Sequence, residues 1–116
     1  MNFETYKINE GKIIIAYSDE NISIGYLEVN PGMEFKKHNR PCPETLYQIK
    51  GTATMVLFDE NDGPKEVVLN EGDEIEIPPK QFHIHANRGS KPAVTMWKAK
   101  GNIIDILNAI RESSKK

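Results

Sequence analysis

Residues 31–51 read PGMEFKKHNRPCPETLYQIKG, a polar segment that leads into a strand-like run and stops at Gly51. Four of its side chains recur at even spacing: His38, Arg40, Cys42 and Glu44. In an extended chain, even spacing places side chains on the same face. The two prolines at the centre of the segment exclude a helix and favour extended geometry in the residues before them. The pattern predicts a stiff, irregular arm that directs its polar groups to one side.

A second polar cluster, QFHIHAN, occupies residues 81–87. His83, His85 and Asn87 are again two residues apart, so a strand would carry all three on one face. We expect this strand and the arm to meet in space and to form a site, with the rest of the chain as its scaffold.

Short apolar runs separated by turn residues occupy most of the chain. The predicted strands are 12–17, 22–29, 46–50, 52–58, 67–69, 75–77, 82–87 and 93–98. Segments rich in Gly, Pro, Asn and Asp, such as DENDGP at 59–64, separate them and are typical of turns. We expect strand 46–50 to pair with strand 52–58 around Gly51. Many short strands at even spacing indicate an all-β fold, either an antiparallel barrel or a double-sheet jelly roll.

The end of the chain departs from this pattern and predicts one helix at about 102–113. Its apolar residues recur at helical spacing: Ile103, Ile106, Leu107 and Ile110. Asn102 is a favourable N-cap, and basic residues follow where the helix dipole is negative: Arg111, Lys115 and Lys116. We expect the apolar stripe to cover the sheet rather than to face a partner subunit.

Composition describes an ordinary globular protein. Of its residues, 38% are hydrophobic and 28% are charged. A chain of this length fits a single domain, residues 1–116, with a barrel at about 5–100. A net charge of −2 gives no electrostatic footprint for nucleic acid. The single cysteine forms no internal disulfide, which suits a reducing compartment. The start of the chain lacks a signal-peptide pattern, and its apolar run IIIAY is too short to span a membrane. We therefore expect a cytoplasmic protein with no membrane partner.

Two motifs resemble those of the cupin superfamily. The first cupin motif is G-x5-H-x-H-x3,4-E-x6-G, and this chain matches it except at the second histidine, with Gly32, His38, Arg40, Glu44 and Gly51. The second motif is G-x5-P-x-G-x2-H-x3-N, and the chain matches it except at the middle glycine, with Gly72, Pro78, Lys80, His83 and Asn87. Agreement at this many fixed positions in two motifs is specific, and the motifs span about half of the chain.

The resemblance implies a small double-stranded β-helix barrel with a divalent metal in its mouth. The family's pattern assigns the metal to His38, Glu44 and His83, together with the second histidine of the first motif. Imidazole and carboxylate ligands suit Fe, Mn, Ni, Cu or Zn. The position of that second histidine is Arg40, however, and an arginine side chain stays protonated and does not ligate a metal.

Three interpretations of the site stay open. In the first, His38, Glu44 and His83 bind the metal alone, and Arg40 points away or towards an anionic ligand. In the second, His85 supplies the missing imidazole, although a lining role is the more common one for such a residue. In the third, no metal binds, Arg40 pairs with Glu44, and the histidines hydrogen-bond a ligand directly.

Other residues near the motifs have simpler interpretations. Gln48 shares a strand face with Glu44 and is expected inside the barrel, where it would orient a ligand or the carboxylate. Cys42 is expected to be inert, and Trp97 to lie in the core. Alternation places a further group in the core or the cavity wall: Ala53, Met55, Leu57, Ile75 and Ile77.

Two classes of function compete. A metal-dependent cupin enzyme would act on a small polar molecule, and the resemblance allows dioxygenation, decarboxylation or sugar isomerisation. A binding module would hold a small anionic or sugar-like ligand without turnover, and Arg40 favours this class because it attracts anions. A purely structural role is third. We expect a mononuclear divalent-metal site in the barrel that binds or transforms a small anionic or sugar-like molecule, and the alternative is a metal-free binding barrel that uses Arg40 and the cavity histidines. Cupins of this size are commonly dimers, so we expect a homodimer.

Overall fold

A computed structural model describes residues 3–61 and 63–113. Within them the elements are nine strands and a helix: β1 (Glu4–Ile8), β2 (Gly11–Ser18), β3 (Ser23–Val29), β4 (Glu44–Lys50), β5 (Ala53–Asp59), β6 (Gly63–Leu69), β7 (Glu74–Ile77), β8 (His83–Ala86), β9 (Ala93–Ala99) and α1 (Ile104–Ser113).

The strands form two antiparallel sheets. The larger sheet has the order β1-β2-β3-β9-β4-β7, and the smaller one has the order β6-β5-β8. Side chains alternate between buried and partly exposed along β3 and β9, which is the pattern of a strand with one face on a core. The core contains residues of both sheets, including Leu27 and Leu46 from the larger one and Met55 from the smaller one. The expected antiparallel two-sheet β-fold with one C-terminal helix is confirmed.

The predicted arm lies along the free edge of β8. His38 and His83 exchange two backbone hydrogen bonds, with N···O distances of 3.0 and 2.8 Å. A second bridge joins Glu34 to Ala86, and the amide of Phe35 donates to the carbonyl of His85. The arm is therefore held beside β8 at several points, and this pairing brings the two polar clusters of the sequence together.

One predicted pairing is wrong. Strands β4 and β5 are adjacent in sequence, but β4 pairs with β7 and β9, whereas β5 pairs with β6 and β8. Gly51, between them, has a φ of +71°, and a Cβ atom there would lie 2.5 Å from the carbonyl oxygen of Pro92. The chain therefore passes from one sheet to the other at Gly51 instead of closing a hairpin. Strand β1, with the sequence ETYKI, was not predicted, because only Tyr6 and Ile8 alternate towards the core in it.

Lys80 occupies a position where the second cupin motif has glycine. Its φ is +69°, and it is the only non-glycine residue with a positive φ in the described part of the chain. A left-handed conformation costs a residue with a Cβ atom roughly 1–2 kcal/mol relative to glycine. The amide of Lys80 donates a 2.7 Å hydrogen bond to the carbonyl of Arg40, so this strained turn also holds the arm.

The helix packs on the barrel as expected. The side-chain oxygen of Asn102 accepts a 3.0 Å hydrogen bond from the amide of Ile104, which is N-capping geometry. Ile103 and Leu107 are buried in the core. Arg111 donates two hydrogen bonds to the carboxylate of Glu4, at 2.7 and 2.9 Å, and so ties the helix to β1. Lys115 and Lys116 lie outside the described residues.

Among residues 3–61 and 63–113, no helix has the length and apolar character that a membrane span requires.

Candidate metal centre and adjoining cavity

The structure brings three imidazoles together. His38 comes from the arm, and His83 and His85 come from the buried face of β8. The ring centroids of His38 and His83 are 4.3 Å apart, and the ring of His85 lies 5.2 Å from each of the other two. One nitrogen from each ring lies within 4.8 Å of the nitrogens of the other two. This cluster could hold a metal ion, and it contains all three histidines of the sequence.

Backbone carbonyls orient two of the rings. Nδ1 of His38 lies 2.9 Å from the carbonyl oxygen of Lys36, and Nδ1 of His83 lies 2.9 Å from that of Gln81. A carbonyl oxygen only accepts hydrogen bonds, so each Nδ1 carries the proton and donates it. When such a ring is neutral, its Nε2 keeps the lone pair, which is the arrangement found in metal-ligating histidines.

Their surroundings keep the imidazoles of His38 and His85 neutral. Burial, the charge of Arg40 and the neighbouring His83 lower the pKa of His38 from 6.5 to about 4. Burial also holds the pKa of His85 well below its usual range, with smaller effects from His38 and His83. A neutral imidazole is the form that binds metals.

Glu44 approaches the cluster from the other sheet. Its Oε1 lies 3.5 Å from Nε2 of His83, and both side chains are almost completely buried. Neither atom has a hydrogen-bond partner in the described structure, and Nδ1 of His85 also lacks one. Buried polar atoms are normally paired. Their accumulation at one place indicates that a further group completes the site.

Arg40 lines the same cavity as His38 and Glu44. Its guanidinium donates a 3.1 Å hydrogen bond to the carbonyl of Asn39. The ion pairs between described residues do not include one between Arg40 and Glu44. Burial lowers the pKa of Arg40 and Glu44 opposes that shift, but an arginine stays charged at any ordinary pH. The cavity therefore contains a fixed positive charge.

The cavity has a volume of about 420 Å³. Its polar lining includes His38, Arg40, Glu44 and His85, and most of its other lining residues are apolar. Helix α1 contributes part of this apolar wall, including Ile106 and Ile110. The sequence analysis assigned the helix to the sheet surface and did not anticipate its place in the cavity wall, because helical periodicity does not report what lies beneath a helix.

Gln48 and Cys42 lie away from the cavity lining. The amide of Gln48 donates to the carbonyls of Lys50 and Gly51, and its oxygen accepts a 2.7 Å hydrogen bond from Thr95. These bonds use its side chain to hold the β4–β5 connection, and it does not reach the polar cluster. The Cys42 side chain is buried against Gly101, and burial raises the pKa of its thiol.

Trp97 combines a core position with a place in the cavity wall. Its side chain is 4% exposed and lies over Gly25, where a Cβ atom would come within 2.3 Å of the indole ring. The indole Nε1 is buried without a hydrogen-bond partner among the described residues. The sequence predicted the buried position, but strand alternation gives no signal for an unpaired indole N–H.

A profile of the family described as "Cupin domain" matches residues 25–98, a span that contains both motifs. A search of curated proteins found no match.

Solved structures of oxalate decarboxylases are similar to this chain. The formate complex of the Lactobacillus farciminis enzyme matches with a TM-score of 0.78 and 24% identity, over 87% of this chain and 32% of that one. A Bacillus subtilis oxalate decarboxylase structure, described for its Mn(II) centres, matches with a TM-score of 0.77 and 27% identity, over 85% of this chain and 28% of that one. This chain therefore spans less than a third of either protein.

Proposed function

This chain belongs to the cupin domain family, and from that membership and its site we propose that it binds a divalent metal ion and a small organic anion. The proposed ligands are the imidazoles of His38, His83 and His85 and the carboxylate of Glu44. In this arrangement His85 replaces the second histidine of the first cupin motif, a position that Arg40 occupies in this chain.

The contact between His83 and Glu44 is the observation that carries the proposal. Nδ1 of His83 faces a carbonyl and holds a proton, so Nε2 of the neutral ring is an acceptor. The carboxylate oxygen 3.5 Å away is also an acceptor. Two buried acceptors that face one another repel unless a cation or a proton lies between them. Two further neutral imidazoles beside this pair favour a metal cation over a proton.

The donor set of three imidazoles and one carboxylate suits first-row metals from manganese to zinc. The Mn(II) centres of the similar Bacillus subtilis enzyme make Mn²⁺ the first ion to test. A bound metal would supply Lewis-acid polarisation of an oxygen ligand. Arg40 would hold the negative charge of that ligand through charge-assisted hydrogen bonds.

A metal-free binding barrel is the second candidate. The charge of Arg40 is one of the causes that lower the pKa of His38, and the same field disfavours any cation near that ring. In this alternative the histidines and Arg40 bind the anion directly.

Nuclear magnetic resonance of the histidine rings tests the proposal. Protein stripped with a chelator is titrated with Zn²⁺ or Mn²⁺, and long-range ¹H–¹⁵N spectra follow the ring nitrogens. We expect Zn²⁺ to shift one nitrogen in each of the three rings and Mn²⁺ to broaden all three sets of signals. Unchanged histidine signals at saturating metal would overturn the proposal.

A pair of carboxylate variants supplies the control. Glu44→Gln should weaken Zn²⁺ binding, because it removes the charge that faces His83. Glu34→Gln changes an exposed carboxylate on the arm and should leave Zn²⁺ binding unchanged. Circular dichroism confirms that both variants are folded. Equal Zn²⁺ affinity in the two variants would exclude Glu44 from the ligand set.

A further inference from the structure

We infer that the cavity takes an amphipathic organic acid, with its carboxylate at Arg40 and an apolar body between the large sheet and helix α1. This inference deepens the proposed function by naming the class of the anion, and it rests on that function only for the contact between carboxylate and metal. The apolar half of the ligand site stands on residues outside the metal cluster.

The polar end of the cavity selects for negative charge. Arg40 supplies a fixed positive charge there, and the partial burial of its side chain strengthens the attraction for an anion. Charge-assisted hydrogen bonds from a guanidinium match the two oxygens of a carboxylate.

The rest of the wall selects for apolar surface. Side chains from two strands, the arm and the helix contribute to it: Ile13, Leu27, Phe35, Ile106 and Ile110. A cavity of about 420 Å³ is within the range of sites that enclose whole metabolite-sized molecules. An anion as small as formate would leave most of this apolar wall against water. A ligand with an apolar body would instead displace that water and gain the free energy of burial.

Trp97 provides an independent observation that points to a bound molecule. Its side chain is 4% exposed and lines the cavity. Its Nε1–H has no acceptor among the described residues. Leaving such a donor unpaired is unfavourable. An oxygen atom of the ligand would complete its hydrogen bonding.

These features disfavour a sugar as the ligand. A sugar carries hydroxyl groups on most of its carbons, and each one that meets the apolar wall would lose its hydrogen bonds to water. The aliphatic side chains of β2, β3 and α1 offer no replacement partners. Beyond the polar end and Trp97, only Glu10, Lys36 and Ser113 among the lining residues could compensate.

A series of straight-chain carboxylates tests the inference. Acetate, butyrate and hexanoate are titrated into chelator-treated protein and into Zn²⁺-loaded protein. Trp97 is the only tryptophan, so its fluorescence and its indole N–H resonance report binding in the cavity directly. We expect the dissociation constant to fall about fourfold for each added methylene. We also expect the indole resonance to shift with hexanoate.

Dissociation constants that do not change from acetate to hexanoate would overturn the inference. The two protein forms separate it from the metal proposal. A chain-length dependence in the metal-free protein supports the inference even if the histidine signals do not respond to metal. Loss of the dependence in both forms, together with normal metal binding, rejects the inference and leaves the metal site in place.

Two matched helix variants locate the apolar body. Ile106 lines the cavity, whereas Ile104, two residues earlier on the same helix, is not among the lining residues. Ile106→Gln should weaken hexanoate binding roughly tenfold, because a polar amide replaces apolar surface, and should change acetate binding little. Ile104→Gln should leave both unchanged. Equal hexanoate affinity in the two variants would place the apolar body elsewhere and contradict the inference.

An arginine variant locates the carboxylate. Arg40→Gln should weaken acetate, butyrate and hexanoate by a similar factor of roughly ten to a hundred, because it removes the charge that all three share. If this variant binds all three carboxylates as tightly as the wild type, the carboxylate does not bind at Arg40. The inference as stated would then fail.

Discussion

Nε2 of His83 lies 3.5 Å from Oε1 of Glu44, and these two atoms belong to different sheets. His83 is on β8 of the smaller sheet, and Glu44 is on β4 of the larger one. A cation bound by both would therefore connect the two sheets. Ligands that bind only the folded state stabilise it, so the proposed metal site and the stability of the barrel are coupled.

Replacing Arg40 by histidine should tighten metal binding. Arg40→His removes a fixed positive charge beside the site and restores the residue that the first cupin motif has there. We expect roughly a tenfold or greater gain in Zn²⁺ affinity from the charge alone. Calorimetric titration of the chelator-treated protein measures it.

Arg40→Gln separates the two causes of that gain, because it removes the charge without adding a ligand. If charge repulsion dominates, Arg40→Gln and Arg40→His should gain similar affinity. If the new imidazole also ligates, Arg40→His should gain more. Zn²⁺ affinity equal to wild type in both variants would show that Arg40 does not act on the metal site.

The stability of the metal-free protein should fall as pH decreases from about 6.5 to about 4. In the unfolded chain histidine takes up a proton near pH 6.5, whereas the folded state lowers the pKa of His38 to about 4 and holds that of His85 well below its usual range. The unfolded state therefore binds more protons in this window, and the free energy of unfolding decreases with falling pH. Urea denaturation at several pH values measures the slope.

His38→Gln should make this slope smaller, since it removes one of the two histidines that contribute to it. The experiment is done on chelator-treated protein, because a bound metal would itself compete with protons. A free energy of unfolding that stays constant between pH 6.5 and 4 would contradict the burial of neutral rings.

Much of the candidate site could be predicted from residue spacing. Motif positions and even spacing brought His38, Glu44 and His83 into one place, and alternation put His85 on the same face as His83. Spacing could not decide whether His85 is a metal ligand or only lines the cavity, because its role depends on where the arm lies. Only the pairing of His38 with His83 brings the ring of His38 to within 5.2 Å of that of His85.

Non-local pairing limited the prediction of the fold. The strands around Gly51 were expected to form a hairpin because they are adjacent in sequence. Whether two neighbouring strands pair is decided by the other strands available, and β9 and β7 occupy both sides of β4. Gln48 is buried as expected, but its side chain bonds to Lys50, Gly51 and Thr95, and these bonds depend on this pairing.

Replacing Lys80 by glycine should stabilise the protein. Lys80 has a φ of +69°, which a residue with a Cβ atom adopts only with strain. We expect Lys80→Gly to raise the free energy of unfolding by about 1 kcal/mol, measured by urea denaturation. Lys65→Gly, within strand β6, is the control and should lower it. Destabilisation of Lys80→Gly by as much as the control would show that the turn is not strained.

Leu107 should contribute strongly to stability because it joins the helix to the core. Its side chain is 1% exposed, and Leu107→Ala is expected to cost about 2–5 kcal/mol. Ile104→Ala, at a partly exposed position of the same helix, should cost less. Thermal denaturation compares the two. Similar losses would indicate that the helix is held mainly by Arg111 and Glu4 rather than by burial of Leu107.

The homodimer stays a prediction from the sequence. The structure leaves several large apolar side chains at least partly exposed, among them Tyr17, Val68 and Phe82. Burial of such side chains between two copies would be favourable. Light scattering at increasing protein concentration should give twice the mass of the chain. A monomer mass throughout would exclude the dimer.

The arm beside β8 also bears on aggregation. An unpaired strand edge can pair with another chain, and proteins commonly cover such edges. Here β5 pairs with one side of β8, and the arm bonds to the other side through Glu34 and His38. An ion held by both His38 and His83 would add to the backbone bonds that hold the arm, so chelation would make this edge easier to open and to pair with another copy of the protein.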